Sequence, residues 1–230
     1  MVIYGRNPVR EAIRGPRTVH RVWATTNTLR DHWLAQAGVP TETVQAEEVE
    51  RRCGSPDHQG VCAEVSAFRY ADAEVLLSSS DPLIVALDEI QDPQNLGAIC
   101  RTAECAGATG VVIPERRAAE VTAAVCKASA GAVEHLPVAR VRNLADFLAE
   151  AKRAGTWCYG ADADARLAYS AVDYTGGAVL VLGSEGKGLR PRVAASCDAL
   201  VSIPLRGRIE SLSVSAAAAV LLYAATEPRG

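Results

Sequence analysis

LIVALDEIQDPQNLGAICRTAECAG, residues 83–107, is the stretch on which the fold turns. Its opening, LIVALDEI, is an almost unbroken apolar run, as expected of a strand buried on both faces of a parallel sheet. Asp92-Pro93 interrupts the run. Asn95 is then the expected N-cap of a helix over NLGAICRTAECAG, with Gly107 closing it. The same alternation continues downstream. GVVIP, LPVARV, TWCYGAD, AVLVLGS and ALVSIPL read as strands. A helix follows GVVIP to about Ala130, LADFLAEAKRAG is a helix ending at Gly155, and SVSAAAAVLLYAAT is the last helix. Strands alternating with helices predict an α/β fold: a parallel sheet with helices on both faces.

Upstream lies a smaller α/β unit over residues 1–68. Asn7 is the expected cap of its first helix, with Pro8 in the first turn. VHRVWAT, TETVQ and VCAEVSAF read as strands, LRDHWLAQAG as a helix ending at Gly38, and EEVERRCG as a helix ending at Gly54. Residues 69–81, polar and carrying a serine triplet before Asp-Pro, read as a linker. The second domain is expected over residues 82–230.

Composition narrows the function. No apolar run approaches the roughly 18 residues of a membrane span, and MVIYGRNPVREAIR has no apolar signal-peptide core, which predicts a cytoplasmic protein. The seven cysteines form no C-x-x-C pair and the four histidines show no ligand spacing, so no metal is expected. The net charge is only −3, but residues 1–30 hold six arginines against Glu11 alone, while residues 70–100 hold six acids and no Lys or Arg. Such a basic segment suits phosphate contacts, with Arg6, Arg10 and Arg14 recurring at helical spacing.

Ligands of open α/β sheets gather at the carboxyl ends of strands. Three such ends are chemically dense: IPLRGRIESLSVS, residues 203–215, and two others. Gly183-Ser-Glu-Gly-Lys-Gly188 follows an apolar strand, yet Leu189 stands where a phosphate loop needs lysine, and G-x-G-x-x-G is absent. The loop permits close backbone approach without either nucleotide signature. The other end carries Asn95 and, six residues on, Arg101. Its neighbours Ala98, Ile99 and Ala103 are apolar, so Arg101 is expected beside a buried face, in need of a partner.

These residues carry a resemblance. LDEIQDPQNLGAICRTAECAGATGVVIP resembles the first motif of the SpoU (TrmH-type) RNA ribose 2′-O-methyltransferases, VLVLGSEGKGLR the second and IPLRGRIESLSVSAAAA the third. KASAGAVEHLPV also fits, and YGRNPVREAI and HQGVCAEV resemble the small RNA-binding domain of many members. The resemblance implies a deep C-terminal trefoil knot, an exception to the rule against threaded chains, behind a small domain like ribosomal protein L30e. It implies S-adenosylmethionine as cofactor, a homodimer, and an RNA substrate, a guanosine of 23S rRNA before a tRNA or an antibiotic-resistance site. A non-catalytic RNA-binding or assembly protein is the alternative of another class.

Carried over by position, Asn95, Arg101, Glu185 and Ser211 match the catalytic residues. Gly183, Ile203 and Leu212 match cofactor contacts, with Leu182 and Leu205 as neighbours. Arg101 is expected to hold the target phosphate and steer the 2′-hydroxyl, since arginine stays protonated. Glu185 is expected to pair with Arg101 or to accept the proton. The pattern reads Ser-Leu-Asn where this chain has Ser211-Leu212-Ser213, and Ser215 is expected to cap or face the final helix. Removing residues 1–70 is expected to spare cofactor binding and abolish RNA methylation.

Overall fold

A computed structural model of the chain describes residues 1–209 and 211–227. In chain order the first unit runs β1 (Val2–Tyr4), α1 (Arg6–Arg14), β2 (Val19–Ala24), α2 (Thr26–Leu29), α3 (His32–Ala35), β3 (Thr41–Thr43), α4 (Ala46–Cys53) and β4 (Val61–Val65). Then come α5 (Ala73–Leu77), β5 (Leu83–Asp88), α6 (Pro93–Cys105), β6 (Gly110–Pro114), α7 (Ala123–Ala128), β7 (Val138–Val141), α8 (Leu144–Arg153) and β8 (Trp157–Ala161). The chain continues with β9 (Leu167–Ala168), β10 (Ala178–Gly183), α9 (Pro191–Ser196), β11 (Ala199–Ser202) and α10 (Val214–Thr226).

The first four strands form a sheet in the order β1-β4-β2-β3. The rest form a sheet in the order β7-β6-β5-β10-β8-β11-β9, parallel at every pairing. β5 and β6 are buried along their whole length, as the continuous apolar run predicts. Alternate residues serve opposite faces. Leu83, Val85 and Leu87 join Leu180 and Leu182 in one core layer, covered by α6, α7 and α10 through Ile99, Val125 and Leu221. Ile84 and Ala86 join Val179 and Val181 in the other, covered by α5, α8 and α9 through Leu76, Leu148 and Val193.

Four local expectations need correction. Helix α6 is capped by Asp92, not Asn95: the Asp92 carboxylate accepts from the backbone N–H groups of Gln94 (3.1 Å) and Asn95 (3.2 Å), and Pro93 takes the first turn. Helix α1 begins before Asn7 and has Gly5 at its N-cap, with φ 95°, a value few residues other than glycine adopt. The stretch after Thr25 is two short helices, because Asp31 is extended between them. Residues 69–81 are not a bare linker: Ala71 bridges Ala139 of β7, and Leu76 of α5 is buried against the large sheet. One core layer runs from Ile3 and Val61 of the small sheet into Val133 and Leu136 of the larger unit without a break. Among the described residues no helix is long and apolar enough to cross a membrane.

Candidate active site

β10 lies at the centre of the large sheet, between β5 and β8. The chain leaves β5 toward one edge and returns to the far side of β10, so the carboxyl ends of these strands border the crevice where α/β sheets take ligands. Beyond β10 the loop Ser184–Leu189 folds back on itself, with the Gly188 N–H donating to the Ser184 carbonyl at 2.9 Å. That return passes directly over Gly183. A Cβ on Gly183 would lie 2.1 Å from the Gly188 carbonyl carbon, so only glycine fits.

The loop forms one wall of a cavity of about 450 Å³. Leu182, Gly183 and Glu185 line it from the loop side, and Ile203, Leu205, Ser211 and Leu212 from the chain that precedes α10. Leu205 and Leu212 remain substantially exposed. Glu210 lies outside the described residues. The five residues expected at the cofactor thus share one cavity, together with two of the four expected at the chemistry. Its volume falls within the range of small-molecule sites.

Asn95 stands at a second cavity, of about 240 Å³. Its amide Nδ2 donates to Glu185 Oε1 at 3.2 Å, tying α6 to the tip of the loop. Glu185 lines both cavities and stands where they meet. Arg101 lines neither. It is exposed on α6 rather than set against a buried face, and among the described residues no hydrogen bond or ion pair holds it. Glu185 is therefore paired with Asn95 and not with Arg101.

The expected RNA contacts Arg6, Arg10 and Arg14 lie on α1. Arg10 Nε is 2.7 Å and Arg14 Nη1 3.5 Å from Glu11 Oε1, while Arg6 Nε is 3.5 Å from Asp31. Arg17, from the same basic segment, is unavailable to a phosphate because it is buried against Glu134.

Asp162 and Asp164, just past β8, also line the larger cavity and were missed by the sequence reading. The signal was present: TWCYGAD reads as a strand, and its acids follow the carboxyl end. Val214 and Ala217 line the cavity from the first turn of α10, where nothing in an alanine-rich helix marks them. Five thiols are poor nucleophiles near neutral pH. Burial pushes Cys62, Cys100, Cys158 and Cys197 up to about 12 and Cys126 up to about 11.

Comparison with known proteins gives the family. Residues 82–223 match the SpoU rRNA Methylase family, and residues 2–71 match the family described as RNA 2'-O ribose methyltransferase substrate binding. YacO of Bacillus subtilis (strain 168), named for the TrmH family of tRNA/rRNA methyltransferases, is 39% identical over 232 residues, covering 96% of this chain and 93% of its own. The SpoU methyltransferase AviRb from Streptomyces viridochromogenes, solved with the cofactor AdoMet, superposes with a TM-score of 0.82 at 25% identity, over 100% of this chain and 90% of that one. An AdoMet-bound rRNA methyltransferase from Sinorhizobium meliloti gives 0.82 at 25% identity, covering 99% and 87% of the two chains. With a family match across most of its length and a relative this similar, the chain belongs to the SpoU rRNA methylase family.

Proposed function

We propose that the protein transfers a methyl group from S-adenosylmethionine to a ribose 2′-hydroxyl of RNA, with a guanosine of 23S rRNA as the favoured target, acting as a cytoplasmic homodimer. One observation carries the reading: the residues matched to cofactor contacts line a single cavity, and Glu185 joins that cavity to a second, polar one. The cavity suits the cofactor chemically. Leu182, Ile203 and Leu212 offer apolar contact to an adenine, and Asp162, Asp164 and Glu185 offer negative charge to a sulfonium and an ammonium. In this reading the 184–189 loop and the chain from 203 to 213 belong to the implied knot, residues 82–230 form the methyltransferase domain, and residues 1–68 bind the RNA.

When bound, the cofactor supplies an electrophilic methyl carbon. The chain's own work is placement and proton handling. Reacting atoms must be held about 3 Å apart and in line. Asn95 donates to Glu185 and so orients its carboxylate between the cavities, where the other oxygen accepts the proton of a 2′-hydroxyl. Arg101, free of protein partners among the described residues and outside both cavities, grips the target phosphate and so steers the 2′-hydroxyl. Ser211, at the mouth of the cofactor cavity, offers a hydroxyl to the same oxygen. Arg6, Arg10 and Arg14 add phosphate contacts from the small domain.

The test is methyl transfer from labelled S-adenosylmethionine to rRNA and to tRNA, with the modified nucleotide mapped in cells with and without the gene. Wild-type protein is expected to label rRNA. Glu185→Gln is expected to lose roughly 10²-fold in rate, the usual scale for a missing acid–base group. Arg101→Lys is expected to fall well below wild type, because lysine lacks the planar fork. Labelling of tRNA alone would move the target, and no cofactor binding at all would sink the reading.

A further inference from the structure

Asp88, the last residue of β5, has a side chain with no solvent exposure. A carboxylate so placed must be paired and hydrogen-bonded. One residue, Arg190, meets that need through three contacts. Its backbone N–H donates to Oδ2 at 2.8 Å, its Nε donates to Oδ1 at 2.8 Å, and its Nη2 lies 2.7 Å from Oδ1.

The position of this pair in the chain gives it meaning. The 184–189 loop starts beyond Gly183, which pairs in register with Asp88 across the sheet. It ends at Arg190, the N-cap of α9. The loop therefore leaves the sheet beside Asp88 and returns to Asp88. Between these points residues 185–188 are exposed and gain little from packing. Their geometry rests on the Gly188–Ser184 backbone hydrogen bond within the loop and on two tethers to other elements, Asn95 to Glu185 at the tip and Asp88 to Arg190 at the base. Asp88 itself lines neither cavity.

We infer that Asp88 is a positioning residue: acting through Arg190, it fixes the span of the 184–189 loop and with it the width of the cofactor cavity. This rests on the reading that the cavity holds S-adenosylmethionine. Two guanidinium nitrogens meet one carboxylate oxygen while the backbone N–H of the same residue takes the other, and a single charged contact would leave the base of the loop free to pivot.

The experiment uses the full chain and S-adenosylhomocysteine as calorimetric probe, with thermal melts without ligand and methylation kinetics alongside. Arg190 is 43% exposed at its side chain, so its variants are expected to fold even where Asp88→Asn does not. Arg190→Met should raise the Kd by about tenfold or more and raise the cofactor KM in step. The kcat at saturating cofactor should stay within about threefold, since such a change removes binding common to ground and transition states. Arg190→Lys, which keeps one charged contact, should recover part of the lost affinity. A folded Arg190→Met protein with wild-type Kd and KM, even with a lowered melting temperature, would overturn the positioning role. Leu212→Arg separates the two ideas, because it sets a cation in the cavity itself. If Leu212→Arg binds the probe normally, the cavity reading falls and the inference falls with it. If it abolishes binding while Arg190→Met does not, the inference falls alone.

Discussion

Ser213 shows how a departure from a family pattern is judged by what the side chain does. Its hydroxyl accepts from the Ala216 N–H at 3.2 Å and so caps α10, and it lies 3.2 Å from the Ser215 hydroxyl. Ser213, not Ser215, is thus the cap. Serine and asparagine are about equally good at that task. Ser213→Asn is therefore expected to leave stability unchanged within a few tenths of a kcal/mol, and Ser213→Ala to lose about 1 kcal/mol. Urea denaturation reads both, and an alanine variant as stable as wild type would remove the cap from the account. The thiols make a second residue-level prediction. Cys105 is exposed, whereas Cys62, Cys100, Cys126 and Cys158 are buried. A thiol reagent at neutral pH should modify Cys105 in the folded protein and reach the four buried thiols only after unfolding. Fast labelling of Cys100 without denaturant would contradict the burial.

At the scale of elements, α6 is the helix through which core and site are joined. Gly97 permits its crossing with α7: a Cβ there would meet the Ala128 Cβ at 2.4 Å. Gly97→Ala is expected to destabilise by about 1–3 kcal/mol, the usual range for overpacking, and to lower activity by shifting Asn95. A melt and a rate measured together check this, and an unshifted melting temperature would show that the helices separate freely. This scale also shows what the sequence disclosed. Long apolar strands such as β5 and β10 announced themselves, because burial on both faces leaves no polar residue to confuse the pattern. The junctions after β10 and β11 carry the glycines and leucines that line the cavity. The cap of α6 was misassigned although Pro93 pointed to Asp92, since proline favours the position just after the cap. β9 and α5 were missed for a different reason. Two residues carry no period, and the five-residue helix Ala73–Leu77 is recognisable only once Leu76 is seen to be buried. Likewise Arg101 looks in the sequence like an arginine needing a protein partner. Its helix face, set by tertiary packing, leaves it open instead.

At the scale of the whole molecule, the two sheets are locked together. Arg17 and Glu134, nearly inaccessible to solvent, pair across the junction, and the Arg17 guanidinium also lies 5.8 Å from the Phe68 ring. His135 Nε2 is 3.0 Å from Glu11, Lys127 Nζ donates to the Asp57 carbonyl at 2.8 Å, and the Val121 N–H donates to the Tyr70 hydroxyl at 2.9 Å. Breaking the buried pair by Arg17→Met or Glu134→Gln is expected to cost about 3–5 kcal/mol, because a charge is left without its partner. The double variant should cost less than the sum of the single ones, as a double-mutant cycle in denaturant would reveal. This coupling revises the truncation expected to leave a working cofactor site. Removing residues 1–70 would strip Glu134 of its counter-charge, so the shortened chain should bind cofactor poorly. The bridge from Ala71 to β7 adds a hazard of another kind. The Ala71 N–H donates to the Val138 carbonyl at 2.8 Å, which occupies part of an otherwise open sheet border. Unpaired strand borders recruit strands from other molecules. The short connecting segment covers part of that border, and Ala71→Pro, which removes the donor N–H, is expected to make a warmed solution turn turbid sooner than wild type.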